Sequence, residues 1–189
     1  MKMGSLARVT APAVVVAALA VPALARELSG VSMPDSVTVG EKTLKLNGMG
    51  IRKKFVFKVY VAGLYLVTPS KDAAAILSAD APRVIRMQYV RDVDKQKIAD
   101  AFREGFEKNT PDLAVKQKSN IDRMVAAVPE MKDGGNMVFT YDPSKGTTLS
   151  CDGKDVFSAE GKEFADAVFS LWLGPKPPSD DLKKGLLGD

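Results

Sequence analysis

The sequence predicts an α+β fold, an antiparallel sheet covered on one face by helices, and two observations carry that prediction. Short runs with strand composition and two-residue alternation occupy the chain up to about residue 90 and return between residues 136 and 157. The segments between and after them repeat their apolar residues every three or four positions. Strands and helices are therefore grouped rather than alternated, which argues against a parallel βαβ arrangement.

The elements follow in order. Residues 37–39 and 43–46 alternate on either side of Gly40, Glu41 and Lys42 and read as a β-hairpin. Residues 51–67 are rich in Phe, Val and Tyr and read as strand buried in part on both faces. A short helix is expected over 72–77 and another strand over 83–90. From Asp94 the period changes, and Ile98, Ala101, Phe102, Gly105 and Phe106 share one face of an amphipathic helix. Thr110 and Pro111 suit the cap and first turn of a second helix, which Pro129 ends. Residues 136–141, 147–151 and 154–157 form three antiparallel strands, the last two joined at Asp152 and Gly153. Ser158 is placed to cap a third helix carrying Phe164, Val168, Leu171 and Trp172, and Gly174 and Pro175 to end it. A last helix begins at Ser179, with Asp180 and Asp181 in its first turn and Lys183 and Lys184 nearer its end.

The first residues bear on location. Lys2 and Arg8 precede an uncharged apolar run over 11–21, followed by Ala23, Leu24 and Ala25, the pattern of a secretory leader cleaved near Ala25. The competing reading, an uncleaved anchor, meets a run shorter than the ~20 residues a spanning helix needs and broken by Pro12 and Pro22. The expected organisation is a signal peptide over 1–25 and one domain over 26–189, periplasmic or secreted, with no stable membrane anchor after cleavage. Lys2 and Arg8 leave with the leader, so the formal charge of +4 falls to +2, too little to argue for nucleic acid.

Composition narrows the chemistry further. The chain has no histidine and one cysteine, Cys151. Ser-His and Cys-His catalysis are excluded, the commonest zinc ligand is missing, and no intrachain disulfide can form. No metal, phosphate-loop or triad motif stands out, so neither a metal nor a cofactor is expected. Cys151 reads as a half-buried strand residue, Tyr141 as a sheet-surface aromatic, and Trp172, Phe164 and Phe169 as core.

Gly48, Gly50, Arg52 and Lys54, followed by Lys58, Val59, Tyr60, Ala62, Gly63 and Tyr65, resemble the G-x-G-x-R-x-K and K-V-Y-x-A-G-x-Y pattern of chalcone isomerase-like proteins, here of a bacterial secreted branch. Val90, Arg91, Asp92 and Val93, the helix around Phe102 and Phe106, and the run from Phe169 to Gly174 extend the likeness over essentially the whole mature chain. The resemblance implies an open-faced β-sandwich, a long curved antiparallel sheet with helices packed on one face and a ligand cleft between them. Chalcone isomerases perform an intramolecular cyclisation, whereas related plastid proteins bind fatty acids, so the fold alone leaves the activity open.

In the fatty-acid-binding relatives an arginine and a tyrosine hold the carboxylate, and the resemblance places Arg52 and Tyr60 at those positions. A guanidinium offers parallel N–H donors to a carboxylate, and a phenol adds a donor without a second charge. Tyr65 and Tyr89 either line the cleft or fill it. On one straight strand residues 52 and 60 would lie about 26 Å apart. The family implies a turn between them, yet residues 53–58 contain no Gly, Pro, Asn or Asp to announce it. The competing reading makes Arg52, Lys53 and Lys54 a solvated strand edge. Chalcone isomerases also use a tyrosine and an asparagine on the following helix, and residues 94–102 offer neither, which argues against that reaction.

The expected function is a non-catalytic periplasmic binding protein for a fatty acid or similar small amphipathic carboxylate. Two alternatives stay open: an isomerase or intramolecular lyase acting on a phenolic or enoyl substrate through Arg52 and Tyr60, and a structural or accessory module with a closed cleft.

Overall fold

The computed structural model describes residues 25–189, so the expected leader over 1–25, apart from its last residue Ala25, lies outside the described residues. A two-stranded hairpin, β1 (Ala25–Leu28) and β2 (Val31–Pro34), comes first and has no counterpart in the sequence reading. Seven strands then form one antiparallel sheet in chain order: β3 (Ser36–Val39), β4 (Lys42–Lys54), β5 (Phe57–Leu66), β6 (Arg83–Tyr89), β7 (Asn136–Asp142), β8 (Gly146–Cys151) and β9 (Lys154–Ala159). The helices are α1 (Ala73–Ser78), α2 (Lys95–Asn109), α3 (Pro111–Lys116), α4 (Lys118–Ala127), α5 (Lys162–Leu173) and α6 (Asp180–Leu186). The curled sheet with helices on one side bears out the expected α+β open-faced architecture.

Alternation along β5 sorts the two faces. Tyr60, Ala62, Leu64 and Leu66 point into the main core under the helices, while Val61 and Tyr65 join Leu44, Leu46, Val84 and the β2 residues Val31 and Met33 on the other side. The β1–β2 hairpin thus covers apolar surface that the sheet would otherwise expose.

Five local expectations are corrected. Residues 51–67 are not one strand: β4 turns back into β5 through Phe55 and Val56, with Lys54 paired to Phe57 and Arg52 paired to Tyr60. The turn went unannounced because Phe55 itself takes a φ of +55°, a region that Gly or Asn normally supplies. Ser158 does not cap a helix; it lies in β9, and α5 starts after Gly161. The helix expected from Pro111 to Pro129 breaks at Gln117 into α3 and α4, and Thr110 makes no side-chain cap, its hydroxyl donating instead to the Phe106 carbonyl. Tyr141 is not on the surface: its hydroxyl donates to Asp80 at 2.5 Å and Arg83 lies over its ring. Cys151 is buried outright, and burial pushes its thiol up to about 11, away from reactivity.

The Gly48 and Gly50 positions of β4 seat the C-terminal helix. A Cβ on Gly48 would lie 2.2 Å from the Gly185 carbonyl oxygen, and one on Gly50 would lie 2.4 Å from that of Leu182. Gly185 answers from α6, where a Cβ would meet the Met49 carbonyl at 2.4 Å. Strand and helix backbones therefore touch directly, and Leu182 and Leu186 are fully buried beside them. Asn47 locks the contact by donating to the carbonyls of Ser70 and Leu186, each at 2.9 Å. Ser179 caps α6 as expected, accepting from the Leu182 N–H.

Candidate functional site

Seating α6 on β4 carries the preceding proline-rich loop over the open end of the sheet. Asn109, the last residue of α2, holds that loop from the other side: its side chain donates to the Lys176 carbonyl and accepts from the Lys176 N–H. Between the β4–β5 hairpin, β6, α2, α5 and this loop lies an open cleft of about 1350 Å³. A cleft closed by side chains is therefore not what this chain has.

The cleft has an apolar floor and a charged mouth. Met87, Tyr89, Ile98, Phe102, Leu171 and Trp172 supply the apolar lining. At the mouth six basic residues, Arg52, Lys54, Arg91, Lys97, Lys108 and Lys176, outnumber the acidic Asp92, Glu104 and Asp180. The backbone N–H of Asp133 holds the Asp92 carboxyl below its usual range, and a hydrogen bond from Lys108 does the same for Glu104. Both are anions near neutral pH and neither is a proton donor there.

Arg52 and Tyr60 meet in this cleft. Directly opposed residues of an antiparallel pair share a face, and the hairpin turn makes these two such a pair. Arg52 Nη1 donates to the carbonyls of Lys53 and Pro178, both at 2.6 Å. Those two bonds fix the guanidinium plane, and its Nε and Nη2 have no protein acceptor among the described residues. The edge with the geometry to fork around a carboxylate is thus unpaired among the described residues. The reading of Arg52, Lys53 and Lys54 as a solvated strand edge does not hold for Arg52, which is half-buried and tied to the loop before α6.

Tyr60 sits on the floor, and its hydroxyl accepts from Trp172 Nε1 at 3.1 Å. Trp172 occupies one lone pair, so the phenolic proton is directed elsewhere and has no protein acceptor among the described residues. Burial raises Tyr60 to about 12, against smaller downward pulls from the Trp172 hydrogen bond and the Arg52 charge. The group is a neutral donor at physiological pH and a poor base.

Tyr89 lies beside Tyr60 as its cross-strand partner in β6, ring centroids 5.6 Å apart, and forms part of the floor. The expectation for Tyr65 is corrected. It lies five positions after Tyr60, an odd step, so alternation turns it to the opposite face among Met33, Leu44 and Val61. Trp172 is core as expected, but its N–H makes it the residue that orients Tyr60, a role its apolar spacing did not reveal. The need of a buried indole N–H for an acceptor is the signal that points to it. Among the described residues no helix is long and apolar enough to cross a membrane, and no three His, Cys, Asp or Glu side chains gather as a metal site.

All four tyrosines of the chain are shifted upward, chiefly by burial: Tyr60, Tyr65 and Tyr141 to about 12, and Tyr89 further. A folded pKa above the unfolded value of 10.0 means that the neutral form stabilises the fold. That contribution is complete below pH 10 and is lost as the pH rises through about 12. It is worth about 2–3 kcal/mol for a phenol as buried as Tyr60. Phenolate absorbance at 295 nm is expected to show no tyrosine titrating near pH 10 in the native protein, then one cooperative rise as the chain unfolds at higher pH. A tyrosine ionising alone near pH 10 would contradict the burial described here.

The family model described as chalcone isomerase-like matches residues 25–188. Among curated proteins no sequence matches. The crystal structure of a fatty-acid-binding protein from Arabidopsis thaliana superposes with a TM-score of 0.67 at 18% sequence identity, covering 84% of this chain and 92% of that one. At that identity the likeness is one of fold.

Proposed function

The chain belongs to the chalcone isomerase-like family, and from that premise we propose that it is a non-catalytic carrier of a fatty acid or a similar amphipathic carboxylate. The observation that carries the proposal is the convergence of an oriented, unspent guanidinium edge and an unspent phenol donor on one apolar cleft. The carboxylate lies at the mouth on Arg52, with Tyr60 beneath it as neutral donor, and the acyl chain runs over Met87, Tyr89, Phe102 and Leu171. The cleft volume exceeds the roughly 300–1,000 Å³ usual for small-molecule sites, enough for a long flexible chain. The likeness in fold to the Arabidopsis fatty-acid-binding protein supports the same ligand class.

The cleft chemistry favours binding over turnover. Asp92 and Glu104 are held ionised by their neighbours, and Tyr60 is held neutral. None of these three groups is tuned toward neutral pH, where a general acid or base works best. The leader-like segment over 1–25 supports a place in the periplasm or outside the cell, within a bacterial secreted branch of the family.

Native mass spectrometry of protein isolated from the periplasm, followed by extraction of any bound molecule, tests the proposal. A one-to-one complex with a long-chain carboxylate is the expected result. A protein that arrives empty and does not take up added oleate or palmitate refutes it.

A further inference from the structure

The tip of the β4–β5 hairpin combines two costs that folding does not explain. Phe55, Val56 and Phe57 are exposed to 89%, 85% and 57%, in a molecule whose other large apolar side chains are mostly buried. Phe55 moreover takes a positive φ at a position where Asn or Gly would be unstrained. A two-residue turn has no need of an aromatic there. Lysines flank the apolar triplet on both sides, Lys53 and Lys54 before it and Lys58 after it, all exposed, and Arg91 lies 4.9 Å over the Phe57 ring. No acidic residue lies between positions 42 and 71 of the sequence. Of the three acids at the cleft mouth, Glu104 pairs with Lys108 and Asp92 with Lys132, and Asp180 alone makes no ion pair among the described residues.

We propose that this tip is a membrane-docking wedge, in which Phe55, Val56 and Phe57 enter the interface of an anionic lipid bilayer while Lys53, Lys54 and Lys58 lie among its headgroups. The shape selects a bilayer over a protein partner. Three apolar residues on a narrow convex finger fall short of the 1,000 Å² or so that a specific protein interface buries. An interfacial wedge needs only a few aromatic or aliphatic side chains inserted to about 5–10 Å, with flanking cations on the lipid phosphates. Placement gives the contact a use. Phe55 and Phe57 also line the cleft, so docking brings the cleft mouth to the lipid surface, where amphipathic carboxylates reside. The contact is peripheral and reversible, and it does not depend on the ligand proposed for the cleft.

Co-sedimentation of the purified protein with vesicles of phosphatidylcholine alone, or of phosphatidylcholine with phosphatidylglycerol, provides the test. The wild type is expected to bind the phosphatidylglycerol vesicles, less as salt rises, and to ignore the neutral ones. The double variant Phe55→Asn with Phe57→Ser is expected to lose at least tenfold in vesicle binding while its melting temperature stays the same or rises, because Asn accepts the positive φ. Each lysine near an anionic surface contributes about a fivefold factor. The triple variant of Lys53, Lys54 and Lys58 to Gln is thus expected to lose about 100-fold. A wild type that ignores phosphatidylglycerol vesicles, or a folded tip variant that binds them as the wild type does, overturns the proposal; in the first case the apolar tip falls to a protein partner. Oleate titration of the wild type in the absence of vesicles separates the two readings. Docking fails on the vesicle result alone, and the carboxylate-carrier reading fails only if the wild type takes up no oleate.

Discussion

Gly50→Val is expected to cost about 3 kcal/mol or more of stability and to loosen the ligand site at the same time. A Cβ at residue 50 would sit 2.4 Å from the Leu182 carbonyl oxygen, and valine adds two methyl groups beyond it. The obstruction is backbone, so no side-chain rotation relieves it, and α6 must lift from β4. Lifting exposes Leu182 and Leu186, each worth about 1.5–3 kcal/mol when fully buried, and breaks the Asn47 bond to the Leu186 carbonyl. The loop ahead of α6 moves with the helix, and the Pro178 carbonyl leaves Arg52 Nη1. Urea unfolding gives the stability change, with Gly134→Asn as control. At that position nothing lies within 4 Å of a new Cβ and Asn tolerates the positive φ, so the change there is expected to stay below about 1 kcal/mol. A Gly50→Val protein as stable as the wild type would show that α6 is not seated on these glycines.

That contact also shows how far the sequence could be read. Most elements were legible from period and composition, because a half-buried strand and an amphipathic helix write their burial directly into residue order. The glycines of β4 were legible only as a family pattern. Their physical reason is a helix 132 or more residues away, a long-range approach that no local window contains. The pairing of Arg52 with Tyr60 was hidden for the opposite reason. The turn that creates it uses Phe55 where turn chemistry predicts Gly or Asn, and such a departure marks a residue kept for something other than folding. Tyr65 could have been excluded from the cleft by counting. An even step from Tyr60 shares its face and an odd one does not, and alternation in β5 is regular. The role of Trp172 could not be reached this way, since its spacing is that of core and its hydrogen bond spans 112 residues.

Arg52→Ala is expected to weaken binding of a long-chain carboxylate about 100-fold while the cleft keeps its shape. A hydrogen bond to a charged group contributes about 1.5–3 kcal/mol, and a forked pair at a half-buried mouth belongs toward the upper end. A loss of about 2.7 kcal/mol corresponds to that 100-fold. Arg52→Lys is expected to recover only part of it, because an ammonium keeps the charge but can neither fork around two oxygens nor hold the Pro178 carbonyl in the same plane. Tyr60→Phe removes a neutral donor and is expected to cost about fivefold, near the 1 kcal/mol typical of such a bond. The fatty-acid methyl ester isolates the cause. It has the same chain and no anion, so wild type and Arg52→Ala are expected to bind it equally, whereas a collapsed cleft would weaken both ligands together. Calorimetric titration with oleate and methyl oleate therefore distinguishes an anion anchor from a structural residue. Equal oleate affinity in wild type and Arg52→Ala would move the carboxylate away from Arg52, toward another cation of the same mouth such as Lys97 on α2.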